Sequence, residues 1–408
     1  MTVKNPIEDL ADLRHEFGEH GGVNMSVEAS TTYTVIDPET MPALFEGRAG
    51  PERGCYLYGR HFNPTVFNLG RQLAALADTE AAYCTASGMG AISGVILGLC
   101  NAGDEVVASN AVYGGTFALL NDFLPAKAGI RTHFVDITDL EAVAAAVTDR
   151  TRLIYTESIA NPTLRLADMP RLSEIAKSAG VPLVVDNTFT PLILRPADLG
   201  ADIVVHSITK FISGASDVIA GAVCGSEEFI GSLMDLHMGP LMLLGPTMDP
   251  KIAGDISLRI PHLPLRIKAH SERALAFSER LAEAGISVRY PGLPDYPEHE
   301  LFKELYCEEY GFGGVFTVDC GTEEKANALM SCLQNDMRFG YMAVSLGYFE
   351  TLMSCSGSST SSELSDEDKA DAGISPGLVR MSIGYTGTLE QRWTQLRGAL
   401  EQCGIIAG

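Results

Sequence analysis

From residue 62 onward the apolar positions keep changing period. Val66, Leu69, Leu73 and Leu76 recur at helical spacing just after NPT, a helix-start signal. Short apolar runs follow: AAYCT, EVVAS, THFV, RLIYT, LVVD, DIVVH and VIAGAV. Between them lie stretches of helical period such as DLEAVAAAV and PRLSEIAKSAG. Strands alternating with helices predict βαβ units and an α/β domain, built on a mainly parallel seven-stranded sheet, over residues 62–255. Residues 1–61 are mixed and turn-rich, an arm and not a domain. Pro261 and Pro264 bracket an expected break. Beyond it, HSERALAFSERLAEAG reads as an amphipathic helix, GGVFTVDC as a strand, KANALMSCLQ as a helix and LVRMSIGY as a strand. These predict a smaller C-terminal α+β domain over 256–408. Within it, SCSGSSTSSELS (354–365) and the acidic DEDKAD after it have the composition of a loop.

Bulk composition narrows the function. The chain has 408 residues, 46% hydrophobic and 20% charged, enough for a large core. A net charge of −23 argues against a nucleic-acid backbone or an anionic membrane as partner. No apolar run approaches the ~20 residues of a membrane span. The first residues, MTVKNPIEDLADLRHEFGEHGG, carry no apolar signal core. Nine cysteines are scattered without a CxxC pair, the pattern of reduced thiols. A cytoplasmic location is expected. The histidines show no HExxH spacing, so no metal is expected.

In an open parallel sheet, ligands gather at the carboxyl ends of the strands. Five such ends here present Asp186, the Ser207–Thr209–Lys210 group, Asn161, Tyr113 and a glycine turn at Gly88 and Met89. SGMGAISG opens a helix, whose free N–H groups suit a phosphate. It also fits a loose dinucleotide fingerprint, but Asp104 and Glu105 stand at the wrong end of EVVAS for that role. Lys210 sits between apolar runs. Desolvation lowers a lysine's pKa and makes it a Schiff-base former; a strand-end lysine can also simply reach to water. Asp186 suits a pyridine nitrogen, or a helix N-cap. A lysine that holds an aldehyde, a phosphate cradle and an acid together point to pyridoxal 5'-phosphate (PLP). Tyr113 suits ring stacking, or a turn. Tyr58 and Arg60 in YLYGRHFNPT suit a phosphate clamp, or a surface ion pair. Arg380 and Ser382 share one face of LVRMSIGY, which suits a substrate carboxylate, or an exposed strand face.

The segments RHEFGEHGGVNMS, YGRHFNPT, TASGMGAIS, VVHSITKFISGASD, PLMLLGPTM, AVSLGYFETLMSCSGSSTSSE and GISPGLVRMSIGY carry a resemblance across nearly the whole chain. The sequence resembles the cystathionine/methionine-metabolism family of PLP enzymes, most of all its plant-type methionine γ-lyase branch. That resemblance implies a fold type I PLP enzyme and a homotetramer built from catalytic dimers. It implies a Schiff base on Lys210, Asp186 at the pyridine nitrogen and Asn161 at the ring hydroxyl. Gly88, Met89, Ser207 and Thr209 would hold the phosphate, completed by Tyr58 and Arg60 of a neighbouring subunit. Tyr113 would stack on the ring and protonate the leaving group, its own proton loss eased by a cation such as Arg60. Ser345 and Arg380 would seat the substrate carboxylate, and the Ser-rich loop would border the site. Val344 stands where relatives that handle cystathionine often carry a glutamate, and Gly115 where many bacterial methionine γ-lyases have a cysteine. The implied reaction is α,γ-elimination of methionine. Within the family the alternatives are a cystathionine γ-lyase, γ-replacement on an O-acylated homoserine, or a γ-lyase for another γ-substituted amino acid.

Overall fold

A computed structural model gives the fold and describes residues 6–13, 18, 20–35, 37–46, 48–355 and 374–406. Most of the Ser-rich segment, residues 356–365, lies outside the described residues, and so does the expectation that it borders the site. The first large helix, Pro64–Ala77, starts where the sequence signalled. The Asn63 side chain accepts the N–H groups of Thr65 and Val66, and Pro64 occupies the first turn, where no N–H is needed. Asp78 ends it in a left-handed conformation. Val66, Leu69, Leu73 and Leu76 form its buried face.

Seven strands follow: β1 (Ala81–Thr85), β2 (Glu105–Ser109), β3 (Arg131–Val135), β4 (Thr151–Glu157), β5 (Leu183–Asp186), β6 (Ile203–His206) and β7 (Gly221–Gly225). They form one sheet in the order β1-β7-β6-β5-β4-β2-β3. All run the same way except β7, which pairs antiparallel with both β1 and β6. Burial on both faces explains why the strands read as unbroken apolar runs. Ile154, Val185 and Val204 face one core, with Leu69, Leu73 and Leu172. Tyr155, Val184 and Val205 face the other, with Ile92 and Ile96. Neighbours in sequence point to opposite cores, as the pleat requires.

The run VIAGAV forms its strand later than its apolar pattern suggests, from Gly221. Ala220 is held instead by Thr209, whose Oγ1 donates to its carbonyl at 3.1 Å and accepts its N–H at 3.0 Å. The break expected at Pro261 and Pro264 is a single 3-10 turn, Ile260–His262, between the helices Pro250–Arg259 and Leu263–Glu283. Pro264 lies in the first turn of the second helix, where proline is tolerated. That helix begins at Leu263, not at His270, and bridges two cores. Leu263 and Ile267 join the core of the large sheet, whereas Ala274, Phe277 and Leu281 join a third core. The third core covers a second sheet of β8 (Val288–Arg289), β9 (Val315–Asp319), β10 (Gly340–Met342), β11 (Thr351–Cys355) and β12 (Leu378–Ser382), ordered β10-β11-β12-β9-β8. Among the described residues, no helix is long and apolar enough to cross a membrane.

Candidate active site

The carboxyl ends of β4 and β5 set two acids side by side, because Glu157 and Asp186 pair in register. Asp186 is 8% exposed and Glu157 6%. The Asp186 Oδ1 accepts both the N–H of Thr188, at 3.0 Å, and its hydroxyl, at 2.5 Å. The Tyr155 hydroxyl approaches Oδ2 at 3.5 Å. Burial pushes both carboxyls up from their ordinary range, and the Asp186 charge pushes Glu157 further. No cation contributes to either acid. Thr188 closes a tight turn on Asp186 with no helix following, so the N-cap alternative does not hold.

Lys210 lies in the turn after β6. Its Nζ donates to Ser345 Oγ at 2.8 Å. Burial first, and then the neighbouring Arg380 charge, lower its pKa from 10.5 to about 8. Ser345 adopts φ +103°, a conformation rare for any residue but glycine. Arg380 is 1% exposed in a fully buried β12, so the exposed-face alternative also fails. Its Nη1 donates to Asn161 Oδ1 at 2.9 Å and its Nη2 to the Ser345 carbonyl at 2.7 Å. Its Nε is buried and without a partner. Burial lowers the Arg380 pKa to about 10, and the nearby Tyr113 phenol opposes that shift. Arg380 is therefore a cation near the Tyr113 phenol within the chain. Ser382, on the same strand, accepts the Gly347 N–H at 2.9 Å and so ties down the loop that carries Ser345.

The glycine turn leads from β1 into the helix Gly88–Leu99, and the Ser87 hydroxyl caps it by accepting the Gly90 N–H at 3.0 Å. Ser207 crowds this turn, since a Cβ on Gly88 would stand 2.9 Å from the Ser207 Cβ. The Ser207 N–H donates to Thr188 Oγ1 at 2.8 Å, which links the turn to the Asp186 end. Thr209 is turned differently, its hydroxyl proton being committed to Ala220. Tyr113 is 44% exposed, and its N–H donates to Glu157 Oε1 at 2.6 Å. Val344 is 64% exposed beside Ser345. Tyr58 and Arg60 pair with each other, the guanidinium 5.8 Å from the ring centroid. Arg60 also donates to the Met242 carbonyl at 2.6 Å and forms no surface ion pair among the described residues. Glu157, Thr188 and Tyr155 are additions to the residues singled out in the sequence. Glu157 carried a usable signal, an acid closing the apolar run RLIYTE.

The sequence matches the family model for Cys/Met metabolism PLP-dependent enzymes over residues 11–390. The chain belongs to that family. Among its relatives, the methionine gamma-lyase of Arabidopsis thaliana is 61% identical over 97% of this chain and 90% of its own length. The L-methionine gamma-lyase of Pseudomonas putida is 37% identical over 90% of each. The cystathionine gamma synthase of Xanthomonas oryzae, solved in complex with cystathionine, superposes with a TM-score of 0.87 at 31% identity, over 99% of this chain and all of that one. A Campylobacter jejuni structure containing N'-pyridoxyl-lysine-5'-monophosphate gives 0.89 at 26% identity, over 98% of this chain and all of its own. The fold is thus the fold type I architecture of PLP enzymes.

The residues fit the family's cofactor on their own geometry. The helix N-terminus at Gly88 and Met89 offers N–H groups to a phosphate, with glycine where a Cβ would collide with Ser207. Lys210 offers a partly neutral amine to an aldehyde. Asp186 offers a buried carboxylate, without a cation of its own, to a pyridinium.

Proposed function

We propose that the chain is a PLP-dependent carbon–sulfur lyase that converts L-methionine to methanethiol, 2-oxobutanoate and ammonia by α,γ-elimination. One observation carries the reading: the Lys210 amine is bonded to Ser345, and the carbonyl of that same residue is gripped by Arg380. A proton acceptor and a carboxylate receptor meet at one serine. The 61% identity to the Arabidopsis thaliana methionine gamma-lyase supports methionine as the substrate.

PLP, when bound, supplies an aldehyde that captures the substrate amine and a pyridinium that withdraws electrons from Cα. Lys210 would hold it covalently, with Asp186 at its ring nitrogen and Asn161 at its ring hydroxyl. Gly88, Met89, Ser207 and Thr209 would form the phosphate cradle, and Thr209 would need to release Ala220 to join it. Tyr58 and Arg60 would complete the cradle of a neighbouring subunit, so the active unit would be a dimer, within a homotetramer of two such dimers. With its pKa lowered to about 8, the freed Lys210 amine has a larger neutral fraction at physiological pH than an ordinary lysine, and that neutral form takes the Cα proton. A second proton leaves Cβ for the same amine, once Lys210 has passed on the first. Arg380 presents its unpartnered Nε–H to the α-carboxylate, held in direction by Asn161 and Ser345. Tyr113, open to the site, gives a proton to the departing γ-sulfur. Val344 offers a thioether an apolar surface free of charge.

The test is a substrate panel on purified, PLP-loaded protein, read by 2-oxo acid formation and by volatile thiol. Methionine is expected to yield both. Turnover of cystathionine or of an O-acylated homoserine, with none of methionine, overturns the reading.

A further inference from the structure

Glu157 is a buried acid that the mechanism above does not use. It stands beside Asp186 in register, 6% exposed, and no cation contributes to its ionisation. A second carboxylate buried against the first is costly, and an apolar side chain would serve the core better. Its compensation comes from two different loops. Oε1 accepts the N–H of Tyr113 at 2.6 Å, and Oε2 accepts the N–H of Asn161 at 2.9 Å. Each oxygen takes one loop.

Tyr113 needs such a hold. Its ring is 44% exposed, and two glycines follow it at the start of the short helix Gly114–Ala118. Its carbonyl accepts the Phe117 N–H at 2.9 Å, the first bond of that helix. With the N–H fixed on Glu157 and the carbonyl fixed on the helix, both peptides flanking Tyr113 are held, and with them the base of its side chain. The same carboxylate fixes Asn161, whose side chain accepts from Arg380.

We propose that Glu157 is a positioning residue, whose two oxygens clamp the Tyr113 and Asn161 backbones so that the Tyr113 phenol is held over the site where the leaving group departs. This rests on the reading of Tyr113 as proton donor. It predicts that Glu157 acts on turnover chiefly through Tyr113, with a smaller effect on cofactor and substrate contacts through Asn161, which it also holds.

The test is a double-mutant cycle on the PLP-loaded enzyme. Glu157→Gln keeps size but has one oxygen, so it sets an amide donor against one of the two N–H groups. The expected result is a loss of kcat of about tenfold to a hundredfold, the scale of leaving one buried N–H donor unsatisfied. KM and PLP affinity are expected to change by less than kcat, because the Asn161 side chain keeps its bond to Arg380. In a Tyr113→Phe background the same change is expected to cost less than about twofold, because the residue it serves is already gone. Additive losses in kcat, or a loss of PLP affinity larger than the loss in kcat, overturn the proposal. A second measurement needs no variant. In the parent holoenzyme the Tyr113 amide is expected to exchange with deuterium at least about tenfold more slowly than Gly115, whose N–H lies in an uncapped first helical turn. Equal exchange rates overturn the clamp even if the Gln variant does not fold. The cycle is run on whichever γ-substituted amino acid the parent turns over, so a failure of the methionine reading is seen separately.

Discussion

Lys210 and Ser345 meet through a single 2.8 Å hydrogen bond across 135 residues of chain. One comes from the turn after β6 and the other from the loop before β11, so the site exists only when both sheets are in place. Ser345 accepts from the amine with its hydroxyl and from Arg380 with its carbonyl, which demands its unusual φ of +103°.

Replacing Lys210 by alanine is expected to abolish turnover and the visible absorbance of the bound cofactor. Full activity in Lys210→Ala, measured by 2-oxo acid release, would remove the amine from the chemistry.

The amine also gives a pH signature in cofactor-free protein. Its folded pKa, about 8, lies below the unfolded 10.5. Between those values the unfolded chain binds the extra proton, so the stability contribution of Lys210 rises with pH across this window. Below pH 8 the buried charge costs up to about 3 kcal/mol, less whatever relaxation recovers. A Lys210→Met variant is therefore expected to be more stable than the parent at pH 7 and to lose that advantage by pH 10.5. Urea titrations across this range provide the measurement, and a pH-independent difference contradicts the depressed pKa.

Arg380 is expected to matter for binding and for folding together. Arg380→Met strands Asn161 Oδ1 and the Ser345 carbonyl without their donor, at a cost of about 3 kcal/mol. KM for the amino acid is expected to rise at least about tenfold. An unchanged KM in folded variant protein would move the carboxylate site elsewhere.

Gly347 controls the same corner. It adopts φ +79°, and a Cβ there would stand 2.5 Å from the Phe211 nitrogen and 2.8 Å from the Lys210 carbonyl carbon. The obstacle is backbone, so it cannot swing aside. Gly347→Ala is expected to destabilise the fold by about 1–3 kcal/mol and to depress kcat by displacing the lysine. Thermal melts and steady-state rates on the same preparation separate the two effects.

Arg60 offers a test of the shared site. Arg60→Ala is expected to weaken PLP retention at least about tenfold, read by equilibrium dialysis. Its bond to the Met242 carbonyl orients the guanidinium within its own chain. Unchanged PLP affinity would reduce Arg60 to that local role.

The sequence made the sheet and its ligand edge legible because both follow from local patterning. Apolar runs separated by helical periods dictate parallel strands, and parallel strands put Asp186, Asn161 and Lys210 at one edge. What stayed hidden was long-range or rotational. The Arg380–Asn161 bond joins residues 219 apart, and no local pattern announces it. Thr209 stands at the right place with its hydroxyl turned to Ala220, and a side-chain rotation has no sequence signature. Glu157 sat in plain view at the end of an apolar run, but its importance lies in the two backbone groups it accepts.

The helix Leu263–Glu283 has a further consequence. Its first turns close the core beneath the large sheet, along with Ile256 and Ile260, while its last turns belong to the core of the small one. It acts as a strut shared by two rooms. Shortening the chain at residue 255 removes Ser345 and Arg380, and it also strips a wall from the half that carries Lys210. The two halves are expected to melt together, as one cooperative unit.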